Sequence, residues 1–463
     1  MTMFSQKELE RLVEATEQIL FKTGVKVEHK GIFKKLSDAG AICDASTGTV
    51  RFPPDILHKL LSTVPRSFKL GGINGFEKIC SFDAEHAING IVIDPWILDY
   101  PSGKARRPSL SDIERNTKIQ QTLGVDSIYR MIMDVSDYND STSPWHALEI
   151  MLKNNDRAHV CAPITIDELK IILEALQISN GGASFAGKGL VQVAIPIRSP
   201  LTFSQLYGDL LIESLNAGCN IQVTVCGMTG ATAPFSKMGA FLEGHAENVA
   251  FAAITQLLKP GASFMSMNSP SAVNMKTGHD LYYSIEKLIW KVASVELFQY
   301  HGLIGGVEIT GSIPARYDMQ TGGESALFTT FAQLCNAPYL SGLGSCYNAN
   351  GLSSEMIIIQ NSFLNAIKFA QAGLDMNDIE ASLASIHEIG PDGNFLMDDM
   401  TLERIRGNEL FKDEMFDYSC QTDAPSMLER AHTRVLEIER DFVSPVSGKI
   451  QDDLTRYFEK IYK

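Results

Sequence analysis

Leu190-Val191-Gln192-Val193-Ala194-Ile195 and Asn220-Ile221-Gln222-Val223-Thr224-Val225 are two short apolar runs with a helix-length amphipathic segment between them. Runs this short and apolar read as buried strands, and the segment between them reads as the helix that connects two parallel neighbours. The alternation continues in both directions. Upstream lie Ser127-Ile128-Tyr129-Arg130-Met131-Ile132-Met133 and Ala158-His159-Val160-Cys161-Ala162. Downstream lie Ala262-Ser263-Phe264-Met265-Ser266-Met267, Leu303-Ile304-Gly305-Gly306-Val307-Glu308-Ile309 and Tyr339-Leu340-Ser341-Gly342-Leu343.

Intervals of roughly 30 to 40 residues between runs fit repeated βα units. Seven such strands predict an α/β protein built as a (β/α)₈ TIM barrel, its eighth strand either Ile91 to Asp94 or a segment after Gly373. The competing architecture is a doubly wound open sheet. It is weakened because no Gly-rich dinucleotide fingerprint follows a strand; Gly302, Gly305 and Gly306 have the wrong spacing. One barrel helix is well specified. Ser353 or Ser354 caps it, Glu355 sits in its first turn, an apolar stripe from Met356 to Ala370 follows, and Gly373 stops it.

The first part of the chain reads differently. An amphipathic helix begins at Ser5 and a second spans Lys30 to Ala39. Short runs then follow at Thr49-Val50-Arg51-Phe52, Ser67-Phe68-Lys69-Leu70 and Gly90-Ile91-Val92-Ile93-Asp94, with Asn74-Gly75 as a tight-turn signal. Residues 1–107 are therefore expected to form an N-terminal helical and small β cap, and residues 108–463 the barrel.

Composition excludes several function classes. The 463 residues are 44% hydrophobic and 21% charged, which is enough apolar content for a large buried core and rules out whole-chain disorder. Forty basic against 55 acidic residues leave a net charge of -15, which argues against nucleic acid. No stretch of about 18 apolar residues lacks charge, so no membrane span is expected. Met1 to Thr23 lacks the pattern of a signal peptide. Eight scattered cysteines without a CxxC pair read as reduced thiols, and the protein is expected to be cytoplasmic.

In such a barrel, chemistry belongs on the loops that follow the strands. The rim predicted there is rich in Gly, Asn and aromatic residues: Tyr138 and Trp145 after the Tyr129 run, Phe235 after Val223, Asn268 and Ser269 after Phe264, Arg316 after Val307, and Gly344, Ser345, Tyr347 and Asn348 after Leu340. It holds no Ser-His-Asp pattern and no convergent metal set. His159 and Cys161 share a strand face and, with Cys226 or Cys346, would suit a zinc-dependent methyltransferase; a buried His/Cys pair is the plainer reading. His245-Ala246-Glu247 has the HxE of zinc deaminases, but no PCxxC follows.

Several rim stretches in order carry a resemblance. They are Gly227-Met228-Thr229-Gly230-Ala231-Thr232-Ala233-Pro234, Glu243-Gly244-His245-Ala246-Glu247, Gln256 to Ala262, Asn268 to Gly278, Gly311 to Glu324, and Ile386-His387-Glu388-Ile389-Gly390-Pro391-Asp392-Gly393-Asn394-Phe395-Leu396. Together, from about Asp94 to Asp417, they resemble the trimethylamine methyltransferase family. The resemblance implies a (β/α)₈ barrel that passes a methyl group from a methylamine to the cobalt of a corrinoid on a separate small protein. Archaeal trimethylamine enzymes of the family carry pyrrolysine. This sequence has only standard residues, and so is similar to the non-pyrrolysine glycine betaine:corrinoid methyltransferases and their relatives acting on proline betaine, carnitine or butyrobetaine.

The resemblance further implies cobalamin supplied by a cognate corrinoid protein, no tightly bound cofactor, no metal and a homo-oligomer. A quaternary ammonium leaves as a neutral tertiary amine, so the protein's work is positioning and desolvation. Its N⁺ calls for aromatic faces, and a betaine carboxylate for N–H donors or a cation. Trp96, Tyr100 and Tyr347 are the cage candidates, with Tyr138, Phe235 and Trp145 behind them; Trp145 is as readily a helix anchor. Glu308, at a strand end, would add charge near N⁺ and, with Tyr347, is assigned to the catalytic centre; a buried Glu308–Arg316 pair is the competing reading. Asn268, Arg316, Gly344, Ser345 and Asn348 are candidates for the carboxylate. A non-catalytic betaine sensor is the alternative outside enzymes.

Overall fold

The computed structural model describes residues 2–93, 95–131, 134–407 and 409–463. Its centre is a closed barrel of eight parallel strands: β1 (Ala87–Ile93), β2 (Ser127–Met131), β3 (Ala158–Ala162), β4 (Val191–Pro196), β5 (Asn220–Val225), β6 (Phe264–Asn268), β7 (Ile304–Glu308) and β8 (Tyr339–Leu343). One helix follows each strand: α1 (Leu110–Thr122), α2 (Ser143–Asn154), α3 (Ile166–Ser179), α4 (Gln205–Ala217), α5 (Lys237–Leu258), α6 (Glu286–His301), α7 (Met319–Leu334) and α8 (Ser354–Ala372). The repeated βα units are thus a TIM barrel, and the open sheet is excluded.

Closure comes from β1, which pairs with β8 at Tyr339↔Ala87 and with β2 at Asn89↔Ser127. Both ladders shift register along the strand, at Ser341/Leu343 and at Ile91/Ile93. This corrects the expected boundary at residues 107 and 108. The barrel takes its first strand from inside the stretch assigned to the cap, because Ala87–Ile93 pairs with both edges. The segment after Gly373 supplies helices instead, among them Met427–Asp441, which packs on α8 and α1, and Gly448–Ile461, which packs on α2 and α3. Asp94, Ile132 and Met133, expected at two strand ends, lie outside the described residues.

The local signals at helix starts hold. Ser5 and Glu8 close a capping box before Gln6–Gln18, and Ser353 caps α8 by accepting from Met356 N–H. The N-terminal layer is stitched to the barrel by strand addition: Val25–Val27 lies between Thr49–Arg51 and Thr202–Phe203, the latter just after β4. Among the described residues no helix is long and apolar enough to cross a membrane.

One further element decides where a site can be. The hairpin Phe68–Gly71/Glu77–Cys80, turning through Asn74-Gly75, covers the end of the barrel where the strands begin. Its Phe68, Leu70 and Cys80 join Ala87, Ala158, Ile304 and Tyr339 in one buried cluster. Lys69 C=O accepts from Asn220 Nδ2 at 2.7 Å, and Gly71 N–H donates to Gly189 C=O at 3.0 Å. With the bottom plugged, the cavity formed by the described residues opens at the carboxyl ends of the strands.

Candidate active site

The lowest barrel layer is an amide and hydroxyl network. Ser127 Oγ donates to Asn89 Oδ1 at 2.8 Å and lies 2.9 Å from Tyr339 Oη. Gln192 Nε2 donates to Gln222 Oε1 at 2.8 Å. Above this floor, at the carboxyl end, lies a cavity of about 750 Å³, within the range of roughly 300–1,000 Å³ usual for small-molecule sites. Ile91, Tyr129, Gln222, Thr224, Met267, Glu308 and Ser341 line it from the strands. Trp96, Asp280, Tyr282, Tyr283, Ser345, Tyr347 and Asn348 line it from the loops.

Glu308, the last residue of β7, is 8% exposed. Its Oε1 accepts from Ser269 Oγ and, at 2.5 Å, from Tyr282 Oη; its Oε2 lies 3.5 Å from Lys291 Nζ. Lys291 Nζ also donates to the Glu308 carbonyl, and Lys287 Nζ to the Ser269 carbonyl at 3.3 Å. Both lysines are buried and project from α6 one turn apart. Lys287 Nζ sits 3.0 Å from the centroid of the Tyr282 ring. Burial alone would raise the Glu308 carboxyl, but the two ammonium groups, with Ser269 and Tyr282, outweigh it and hold the group at about 2. Burial lowers Lys287, and lowers Lys291 to about 8 against the pull of Glu308. Glu308 is therefore ionised throughout the neutral range.

The wall opposite is built by a strained turn. Tyr347, Asn348 and Ala349 are three consecutive non-Gly residues with φ of 47°, 53° and 61°. Such residues cost roughly 1 kcal/mol or more each and persist where neighbours over-determine them. Here Asn348 does so: its N–H donates to Ser312 C=O at 2.6 Å, its Oδ1 accepts from Tyr282 N–H at 2.8 Å, and its Nδ2 donates to Asp280 C=O at 2.7 Å. Gly311 is required for the same assembly, since a Cβ there would lie 2.0 Å from Cζ of Tyr283.

Across comparisons with known proteins, the family model described as trimethylamine methyltransferase (MTTB) matches residues 1–461. The chain belongs to the trimethylamine methyltransferase family. It is a TIM-barrel methyltransferase. It is 23% identical over 474 residues to the trimethylamine methyltransferase MttB of Desulfitobacterium hafniense, covering 99% of this chain and 93% of that one. It is 22% identical over 472 residues to the proline betaine:corrinoid methyltransferase of Eubacterium limosum, covering 98% and 96%. The crystal structure of the Methanosarcina barkeri monomethylamine methyltransferase superposes with a TM-score of 0.54 at 12% identity, covering 99% of this chain and 88% of that one, a likeness of fold.

Five residues singled out in the sequence meet at the family member's cavity: Trp96, Glu308, Ser345, Tyr347 and Asn348. The others do not line it. Tyr100 stacks on His432 with ring centroids 3.8 Å apart, in a separate ion-paired cleft. Tyr138 stacks on His146. Phe235 is exposed. Asn268 is buried and donates to Phe241 C=O at 3.1 Å. Gly344 donates its N–H to Gln360 Oε1 at 2.7 Å, inside the scaffold. Arg316 points outward and pairs with Asp318, so the competing Glu308–Arg316 pair does not form. Trp145 is buried among apolar residues, as an anchor would be.

His159 and Cys161 do share a face, but a buried one. Burial pushes the imidazole down to about 4 and the thiol up to about 12. Among the described residues no three His, Cys, Asp or Glu gather to hold a metal. What the sequence reading missed is the cluster around Glu308: Lys287, Lys291 and Tyr282, together with Asp280. One signal was present. Lys287 and Lys291 stand at i and i+4 in a helix whose same face carries Val295 and Phe298, and two like charges there demand a buried anion.

Proposed function

We propose that this chain moves a methyl group from a quaternary amine, glycine betaine as first choice, to the reduced cobalt of a corrinoid carried by a separate protein. The products are dimethylglycine and the methylated corrinoid. The observation that carries this reading is the combination in one cavity of an ionised carboxylate, Glu308, with the rings of Trp96, Tyr129, Tyr282, Tyr283 and Tyr347. Ring faces and a low-dielectric negative charge stabilise a cation that has no N–H to donate.

The corrinoid supplies the nucleophile. As the bond from the methyl carbon to cobalt forms, the C–N bond breaks and its electron pair stays on nitrogen. The leaving group is neutral, so no acid and no covalent activator is required of the protein. The chain's residues orient the cation, exclude water and leave one methyl facing the open mouth. The plugged floor supports a single approach, from the carboxyl end. The similarity to a relative named for proline betaine and the cavity volume favour a second substrate reading, the same reaction on a bulkier betaine.

The test mixes the purified chain with reduced free cobalamin, then with a corrinoid protein, and a panel of betaines and trimethylamine. Appearance of methylcobalamin absorbance with one betaine and not with trimethylamine is expected. No transfer from any quaternary amine, with either acceptor, overturns the reading.

A further inference from the structure

The Glu308 carboxylate is fully engaged: Ser269 and Tyr282 occupy one oxygen and Lys291 the other. A second carboxylate lines the cavity, and it is not. Asp280 has an oxygen, Oδ1, that is buried and has no hydrogen-bond partner. A buried acceptor without a donor is rare in folded proteins and calls for an explanation. Its place is also fixed. Asp280–Leu281 pairs antiparallel with Ala272–Val273. The Asn348 side chain clamps the backbone on both sides, taking Asp280 C=O with Nδ2 and Tyr282 N–H with Oδ1.

We infer that Asp280 is the specificity residue that meets the cationic head of the substrate, with Glu308 a scaffold charge that holds Lys287, Lys291 and Tyr282 in place. The inference rests on the quaternary-amine reading and reassigns the ion that does the recognition. The chemistry is particular to that class. A quaternary ammonium spreads its charge over methyl hydrogens and offers no N–H. It suits a carboxylate in the cavity wall whose Oδ1 no N–H or O–H holds and which, because that oxygen is buried, acts through Coulomb attraction across a short distance. The same attraction selects a cationic head over a neutral one of equal shape. Asp280 lies beside the cluster, where its charge favours the Lys287 ammonium.

The experiment is calorimetric binding to the full chain, which needs no methyl transfer. The probes are tetramethylammonium, glycine betaine and the uncharged-head isostere 3,3-dimethylbutanoate. Asp280→Asn keeps the shape and removes the charge; Asp280→Ser is the second variant, and melting curves check that each is folded. The expected result is a loss of affinity for tetramethylammonium and glycine betaine of about tenfold or more in both variants, with 3,3-dimethylbutanoate unchanged. In the transfer assay KM rises and kcat stays. Unchanged tetramethylammonium affinity in both variants, or equal losses for charged and uncharged heads, overturns the inference while the methyltransferase reading stands. Failure of the unmodified chain to bind any quaternary ammonium overturns both.

Discussion

Replacing Glu247 by Gln should stabilise the protein at and above neutral pH and change it far less in acid. Glu247 lies on α5 with no exposed surface. Its Oε2 accepts from Ser199 Oγ at 2.8 Å and its Oε1 from Leu201 N–H at 2.6 Å. Burial, only partly offset by those two donors, pushes its carboxyl up to about 7 from an ordinary value of 4.5. The folded-state value is raised, so the stabilising contribution is complete below the unfolded value and is lost as pH rises through 7. The difference of about 2.5 units, at about 1.4 kcal/mol per unit, amounts to roughly 3 kcal/mol by pH 8. Glutamine can keep both contacts, accepting from Leu201 with its oxygen and donating to Ser199 with its nitrogen. Denaturation midpoints for both proteins at pH 5 and pH 8 provide the assay. The gap should be under about 1 kcal/mol at pH 5 and grow to roughly 3 kcal/mol in favour of Glu247→Gln at pH 8. An equal gap at both values, or a less stable glutamine variant at pH 8, refutes the reasoning. The site matters because the segment it grips runs directly into Thr202–Phe203, which holds the N-terminal layer to the barrel.

Three further outcomes are expected. Trp96→Ala or Tyr347→Ala should weaken quaternary amine binding by roughly 3- to 30-fold, the equivalent of about 0.5–2 kcal/mol per lost ring face, whereas Phe235→Ala should leave titration calorimetry unchanged. Lys291→Met removes an ammonium 3.5 Å from the Glu308 carboxylate, so that carboxyl should titrate above its present value of about 2 while Lys287 still holds it down; the acid limb of substrate KM should move to higher pH than in the unmodified protein, and superimposable profiles would count against the charge network. Gly344→Ala should lower the melting temperature, since φ is +101° there and a Cβ would stand 2.6 Å from Ile357 and Leu352 side-chain atoms; an unchanged melt would show that β8 can relax.

Much of the barrel could be read directly because βα repeats leave a local record. Seven of the eight strands fall on apolar runs spaced roughly 30 to 40 residues apart, and α8 begins and ends where Ser353 and Gly373 place it. The eighth run was visible too, at Ile91, but its partners were not. Ala87–Ile93 closes the barrel by pairing with residues about 250 positions away on one side, and no local period encodes that. The cap boundary was misplaced for the same reason.

The candidate site divides along the same line. Glu308, Ser345, Tyr347 and Asn348 were legible because the ends of β7 and β8 carry them to the barrel mouth, whereas Asn268, at the end of β6, turns aside to Phe241 C=O. Loops that leave the mouth do not obey that rule: Phe235 and Arg316 turn to solvent, while Tyr138 and Tyr100 stack on histidines outside the cavity.

The sequence by itself determined the fold class, the family and the end of the barrel that carries the chemistry. Hydrophobic period, caps and rim motifs are written within a few tens of residues. Only the tertiary structure decided which charges meet. Glu308, Lys287, Lys291 and Asp280 come from three separate segments, and strand register with helix docking sets their distances. A carboxylate's ionisation depends on the charges and donors within a few ångströms of it, and that neighbourhood exists only once the chain has closed.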